Sequence, residues 1–357
     1  MKLTRRGKIG LATGTIVALS GFGVGALALT GHAPAPIQRA FDSATHTDHS
    51  PPPTCPLTGR PAPGGKIPHR PALAVKVENS VEARPQSGLD RADIVYEEPV
   101  EGGITRFIAI YQCSTAARIG PVRSGRMEDP DLLVQFGRPL MGYAGGANTV
   151  VKAIDRSGVT DVNYLVAPAA YTRDTGRPAP HNLYTTTAAL WKAGQNASKG
   201  RRGAPHPVFT YSTDVPGKSR RVGEVHLAFS SSSDVYWRWN ARDQAWLRWH
   251  GSVAHELTDG SQVAATNVVV MQVKVGTSDI VDAAGNPSPK VTVTGKGKAY
   301  VFRDGRMIAG RWQRANLKDV TTFVSRSGDE ISLAPGTTWI ELLPNTIHVQ
   351  AKKTASG

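Results

Sequence analysis

The sequence predicts an α/β domain built on a mixed sheet, followed by a mainly β domain, both behind an export segment. Three observations carry this. Between residues 72 and 193, short β-branched runs alternate with helical stretches. After residue 208 the chain reads as strands punctuated by Asp259-Gly260, Asp304-Gly305 and Ser327-Gly328, which are hairpin dipeptides. Before both, a basic flank precedes a long apolar run, the pattern of a targeting segment rather than of a fold.

Residues 1–30 are the export segment. Lys2, Arg5, Arg6 and Lys8 precede an uncharged run of residues 9–30, long enough to cross a bilayer of roughly 30 Å as a helix. The positive flank holds the N-terminus in the cytoplasm and sends the remainder outward. An uncleaved membrane anchor and a cleaved secretory signal both fit. Arg5-Arg6 suggests a twin-arginine signal, but Gly7-Lys8 lacks the usual apolar continuation. No cysteine stands near residue 30, which excludes a lipid anchor there. Residues 31–66 are rich in Pro, His, Thr and Ser and form a semi-extended spacer. The two cysteines, Cys55 and Cys113, are expected to pair in an oxidising compartment, with two separate buried thiols as the alternative.

The first domain spans residues 67–195. Residues 72–77 predict a strand and residues 87–92 a short helix or turn. Residues 94–98 and 104–112 predict strands joined by 99–103. Residues 130–136 read as helix, 139–143 as a short strand, and 147–155 and 185–193 as helices. No Gly-x-Gly-x-x-Gly fingerprint accompanies them. Residues 196–207 form a basic linker. The second domain, residues 208–350, predicts strands at 235–239, 245–249, 267–275, 290–293, 298–303 and 339–343. Six of the seven Trp lie in it. The Trp and Arg alternation at 235–239 and 245–249 offers a sugar-stacking face, or indoles in a core with the arginines toward water; the second arrangement is the expectation.

The net charge is +14, four units of it from the export flank. A basic exported protein suits anionic cell-wall polymer, acidic lipid head groups or a wall-synthesis protein. Nucleic acid is not expected as a partner, because the chain is exported and carries no recognition-helix or ribonucleoprotein motif. No metal site is expected, since neither the cysteine spacing nor the ten histidines form a ligand pattern, and no cofactor is expected. Between Lys76 and Lys152 every basic residue is arginine: Arg84, Arg91, Arg106, Arg118, Arg123, Arg126 and Arg138. The planar fork of arginine suits bidentate carboxylate or phosphate.

These arginines define a candidate site. Glu97, Glu98 and Glu101 flank a turn ending in Gly102-Gly103, and neighbouring strand residues point to opposite faces, so one of Glu97 and Glu98 should point inward and the other outward. A carboxyl group in a partly dry cleft can gain the proton affinity of a general acid. Glu98 and Glu101 are therefore candidate acids and His181 a candidate base. Arg106, Arg123 and Arg126 are candidate anion clamps, with Gly102, Gly103, Gly145, Gly146 and Asn182 as further ligand contacts. The competing reading is structural ion pairing of strand ends, with His181 capping a helix. Ser124 lacks a Gly-x-Ser-x-Gly elbow, which argues against a serine hydrolase.

The segments Cys55-Pro56-Leu57-Thr58-Gly59, Arg84-Pro85-Gln86-Ser87-Gly88-Leu89, Glu101-Gly102-Gly103-Ile104-Thr105-Arg106-Phe107, Gly120-Pro121-Val122-Arg123-Ser124 and Pro180-His181-Asn182-Leu183-Tyr184 resemble the YerB-like family. Pro335-Gly336-Thr337-Thr338-Trp339 is similar to that family's smaller C-terminal domain. The resemblance implies an exported, envelope-associated bacterial protein of two-domain architecture, and it implies no particular reaction. Many such proteins are lipoproteins; the missing cysteine near residue 30 keeps that anchor from carrying over. Two readings follow. One is a membrane-tethered protein binding cell-wall polymer or wall-synthesis machinery through an Arg/Glu-lined cleft. The other is a hydrolase or transferase on envelope glycans using Glu98 or Glu101 with His181. A scaffold whose charges only hold the fold is a third.

Overall fold

A computed structural model of the chain describes residues 51–197, 203–215, 217–282 and 285–353. The expected export segment and most of the spacer lie outside these residues. No described helix is long and apolar enough to cross a membrane. From Pro53 onward the chain forms one compact unit.

The first half contributes β1 (Leu73–Glu78), β2 (Ile94–Pro99), β3 (Thr105–Tyr111), α1 (Glu128–Leu133), β4 (Leu140–Gly142), α2 (Asn148–Ser157), β5 (Thr160–Asp161), β6 (Tyr171–Arg173), β7 (Leu183–Thr185) and α3 (Thr187–Ala197). The helix expected at 185–193 thus starts two residues later, because Thr185 pairs with Tyr171 in a small hairpin. The second half begins with β8 (Arg220–Arg221), β9 (Glu224–Ser230), β10 (Ser233–Asn240), β11 (Ala245–His250), β12 (Val253–Ala254) and β13 (Ala264–Ala265). It continues with β14 (Asn267–Val281), β15 (Pro287–Thr292), β16 (Gly295–Arg303), β17 (Arg306–Arg314), β18 (Thr322–Ser325), β19 (Thr338–Pro344) and β20 (Gln350–Lys352).

The two halves share one sheet. Its order is β18-β17-β16-β14-β19-β2-β3-β1-β4-β5, with β15 and β8 attached to β14 and β17. The seam is the parallel pair β2 and β19, with Ile94 opposite Thr338 and Glu97 opposite Glu341. A second sheet, β12-β11-β10-β9-β20 with β13 on β11, comes wholly from the second half.

β1 and β3 are buried along their whole length, and β2 all but Pro99. A strand buried on both faces reads as a continuous apolar run rather than an alternating one. Side chains of β1 to β3 accordingly split between two cores. Val75, Val95 and Phe107 pack with Trp237, Trp246 and Trp339 of the second half, while Ala74, Tyr96 and Ile108 pack with Leu132 of α1 and Ile154 of α2. Cys55 and Cys113 are bonded, with Cα atoms 6.0 Å apart, tying the incoming segment to the end of β3. Closing a loop of that length stabilises by about 4 kcal/mol in the chain-entropy model.

Candidate functional site

The end of the shared sheet that carries most of the candidate charges holds a hollow of about 500 Å³. Its charged lining comes from Glu101, Arg106, Arg123, Arg126 and Asp282. Each reaches it for a local reason. Arg106 stands near the start of β3, in register between Glu78 of β1 and Glu98 of β2. Arg123 and Arg126 lie on the loop entering α1, where Arg123 N donates to the Lys76 carbonyl at 3.0 Å and Gly125 N to the Gly145 carbonyl at 2.9 Å. Glu101 opens the turn that leaves β2, where Gly102 at φ 70° and Gly103 at φ 71° take left-handed backbone that glycine adopts without strain.

Glu101 is clamped. The Arg126 guanidinium binds its Oε2, through Nε at 3.1 Å and also through Nη2, and the Ser288 hydroxyl donates to its Oε1. Burial pushes this carboxyl up, but the hydrogen bonds from Arg126 and Ser288 together with the Arg126 charge hold it below its ordinary value. Glu101 is therefore an ionised carboxylate, suited to holding Arg126 rather than to giving up a proton.

Arg106 has the opposite situation. It is 6% exposed, its Nη1 donates to the Ser124 carbonyl at 3.3 Å, and its buried Nε meets no acceptor. Both carboxylates beside it in register are engaged elsewhere. Glu98 accepts from the buried Lys76 ammonium, which also donates to Asp129 at 2.6 Å. Glu78 lies 3.0 Å from Arg123 Nε and 3.0 Å from His181 Nδ1. The Arg123 contact is an ion pair without a hydrogen bond at Nε. Burial, followed by repulsion from Arg126 and Arg123, lowers the Arg106 pKa to about 10.

The hollow is also lined by Gly146, Ala147 and Val150 at the start of α2, and no side chain caps that helix. The first amides of a helix lack intrahelical partners and carry positive partial charge. A guanidinium without an ion pair among the described residues and a helix start thus converge on one space. Ile280, Val281, Asp282 and Ser288 of the β14–β15 ribbon complete the lining; Asp282 accepts from Asn286 N at 2.8 Å.

The structure brings five of the expected residues together at the hollow: Glu101, Arg106, Arg123, Arg126 and Gly146. Gly145 stands behind them through its carbonyl. His181 reaches Arg123 only through Glu78. Gly102 and Gly103 are exposed and outside the lining, and the Gly103 carbonyl accepts from the Ser230 hydroxyl. Asn182 accepts from Arg173 at 2.8 Å and donates to the Arg177 carbonyl at 3.2 Å, in loop-holding bonds remote from the lining.

Glu98 is fully buried and lines none of the hollow. Burial drives its pKa up to about 7 against the pull of Lys76, with Asp129 adding to the rise. Beside it, burial and the charges of Glu98 and Asp129 push Glu128 well above the ordinary range. The expectation that one of Glu97 and Glu98 points outward does not hold. Both are buried, on opposite faces, because the sheet is covered on both.

Glu97 marks a cluster absent from the sequence reading. The Arg248 guanidinium donates to both its oxygens at 2.8 and 2.7 Å and lies 2.8 Å from His255 Nδ1. Trp237 Nε1 donates to Glu341 Oε1 at 2.6 Å, and burial followed by the Glu97 charge holds the Glu341 carboxyl well above its ordinary value. Trp237 and Trp246 pack the core as expected, but Arg248, expected toward water, is fully buried. It shares the inward face of β11 with Trp246. Ser288 was also missed; lying 187 positions from Glu101, it left no local signal.

Among the described residues no group of three or more His, Cys, Asp or Glu could hold a metal ion. Residues 57–211 match the family model described as the N-terminal domain of a protein of unknown function, DUF3048, and residues 225–340 match the model of its C-terminal domain. The chain is similar to "Putative lipoprotein YerB" of Bacillus subtilis, 28% identical over 297 residues, covering 81% of this chain and 86% of that protein. It is also similar to the crystal structure of the YerB protein from Bacillus subtilis. That likeness has a TM-score of 0.72 at 26% identity, covering 84% of this chain and 99% of the other.

Proposed function

The chain belongs to the YerB-like family of paired DUF3048 domains, and from that premise we propose an extracytoplasmic envelope protein that holds an anionic group in the arginine hollow. The ligand is a carboxylate or phosphate carried by cell-wall polymer or by a wall-synthesis protein. The single observation that carries this is Arg106, a buried guanidinium that forms no ion pair among the described residues and shares the hollow with two further arginines and the uncapped start of α2. A buried charge left unpaired is costly, and an anion entering the hollow would remove that cost. The disulfide and the relative titled a lipoprotein support a location outside the cytoplasm. Attachment to the membrane through residues 1–30 is part of the proposal.

The test is calorimetric titration of the purified protein with wall-derived fragments bearing carboxylate or phosphate. Arg106→Gln should weaken binding about ten-fold or more, the scale of a lost charged hydrogen bond, while Arg106→Lys retains part of it. Equal affinity of wild type and Arg106→Gln removes the proposal.

Catalysis on envelope glycans draws less support. Glu98 has the proton affinity of a general acid but no path to the hollow, and Glu101 reaches the hollow but is held ionised. Wall fragments incubated with wild type and with Glu101→Gln should both emerge unchanged.

A further inference from the structure

The second half carries a cationic track of different chemistry, and we propose that it binds the backbone of a linear phosphodiester polymer. Two hollows of about 350 and 320 Å³ share Lys298. The first is lined by Lys274, Lys296 and Lys298, the second by Lys298, Arg311 and Arg326, and no acidic residue lines either. None of these five cations forms an ion pair among the described residues.

The arrangement works against the fold. Lys298 of β16 lies directly opposite Arg311 of β17, and like charges directly opposite on a sheet repel. Lys296 and Lys298 share one face of β16, about 7 Å apart along the strand. An uncompensated row of this kind is stabilised when an anionic chain lies along it.

The row suits a backbone of evenly spaced single negative charges. Lysine supplies a compact point charge for each phosphate, and the forks of Arg311 and Arg326 in the second hollow bind phosphate as well. Hydroxyl and amide groups of Thr292, Thr294 and Asn345 line the first hollow beside the lysines. Its floor is Trp312, whose Nε1 donates to the Gln272 carbonyl at 2.9 Å. Gly297 opposite is required there, because a Cβ would stand 2.4 Å from that indole nitrogen. The choice of a polyol-phosphate polymer over nucleic acid rests on the extracytoplasmic location proposed above, but not on the arginine hollow.

The experiment measures retention of the full-length protein, held in neutral detergent, on beads carrying poly(glycerol phosphate) across a salt series. Wild type should be retained at low salt and released as salt rises. The triple variant Lys274→Ser, Lys296→Ser, Lys298→Ser should lose about ten-fold in affinity, with a shallower salt dependence because fewer counterions are released. A control triple variant, Lys152→Ser, Arg156→Ser, Lys192→Ser, removes the same charge from exposed positions of the first half and should bind as wild type. Undiminished binding by the track variant overturns the proposal. So does an equal loss in the control, which would reduce the effect to net charge. The track variant leaves Arg106 in place and Arg106→Gln leaves the track in place, so either reading can fail alone.

Discussion

The arginine hollow of the first half and the lysine track of the second treat positive charge in opposite ways. In the hollow, guanidinium groups are sunk among carboxylates, and Arg126 is fixed by Glu101 while Arg123 leans on Glu78. On the track, cations stand exposed on strands and one turn, and no acid lines either hollow. The paired charges of the first kind, Arg123 and Arg126, are woven into the fold, and removing them should cost stability. Charges of the second kind repel one another, and removing them should help the fold while weakening polyanion binding.

The largest effect expected lies at the seam, where burial is complete. Arg248→Met strands Glu97 next to Glu341 and should destabilise by about 3–5 kcal/mol, the scale of breaking a buried pair from one side. Urea melts would check it, and a change below about 1 kcal/mol would break the contrast at its strongest point. Next comes Arg126→Gln, which removes the cation that clamps Glu101 and should cost about 3 kcal/mol. Adding Glu101→Gln should recover part of that loss.

A pH series sharpens the same contrast. Glu98 has a folded pKa raised to about 7 from an ordinary 4.5. The folded state therefore binds a proton that the unfolded chain releases earlier. The associated stability is complete below about pH 4.5 and is lost as pH rises through about 7. Wild type should lose more stability than Glu98→Gln between pH 5 and 8; parallel curves would mean that the carboxyl is not held protonated. The smallest effect is on the track. Lys298→Gln relieves repulsion with Arg311 and should stabilise by about 0.5 kcal/mol, while retention on poly(glycerol phosphate) falls.

Much of the first half was legible because its signals are local. β1, β2 and β3 follow from apolar runs, the α2 start from Gly145-Gly146, and the hollow from a stretch whose only cations are arginines. Three of the seven, Arg106, Arg123 and Arg126, line it. The roles of its carboxylates were not legible. Glu98, near the end of β2, and Glu101, on the turn that leaves it, are three positions apart, yet one is sealed behind Lys76 and the other clamped by Arg126 and Ser288. Which occurs depends on what covers each face, and α1 and the β14–β15 ribbon come from elsewhere in the chain. Arg248 was misread for the same reason: alternation shows that it shares a face with Trp246, but not that another sheet lies over that face.

The amino-acid order by itself determined the periodicities, the turns, the pair of cysteines able to bond and the clustering of charge types. These depend on neighbours within a few positions. Tertiary structure alone decided that β19 would enter between β14 and β2 to make one sheet of two halves. It also decided which buried acid would meet which cation, and that Arg106 would form no ion pair among the described residues. Those outcomes depend on long-range strand register, where partners as distant as Arg248 from Glu97 or Ser288 from Glu101 help set the desolvation and compensation of a charge.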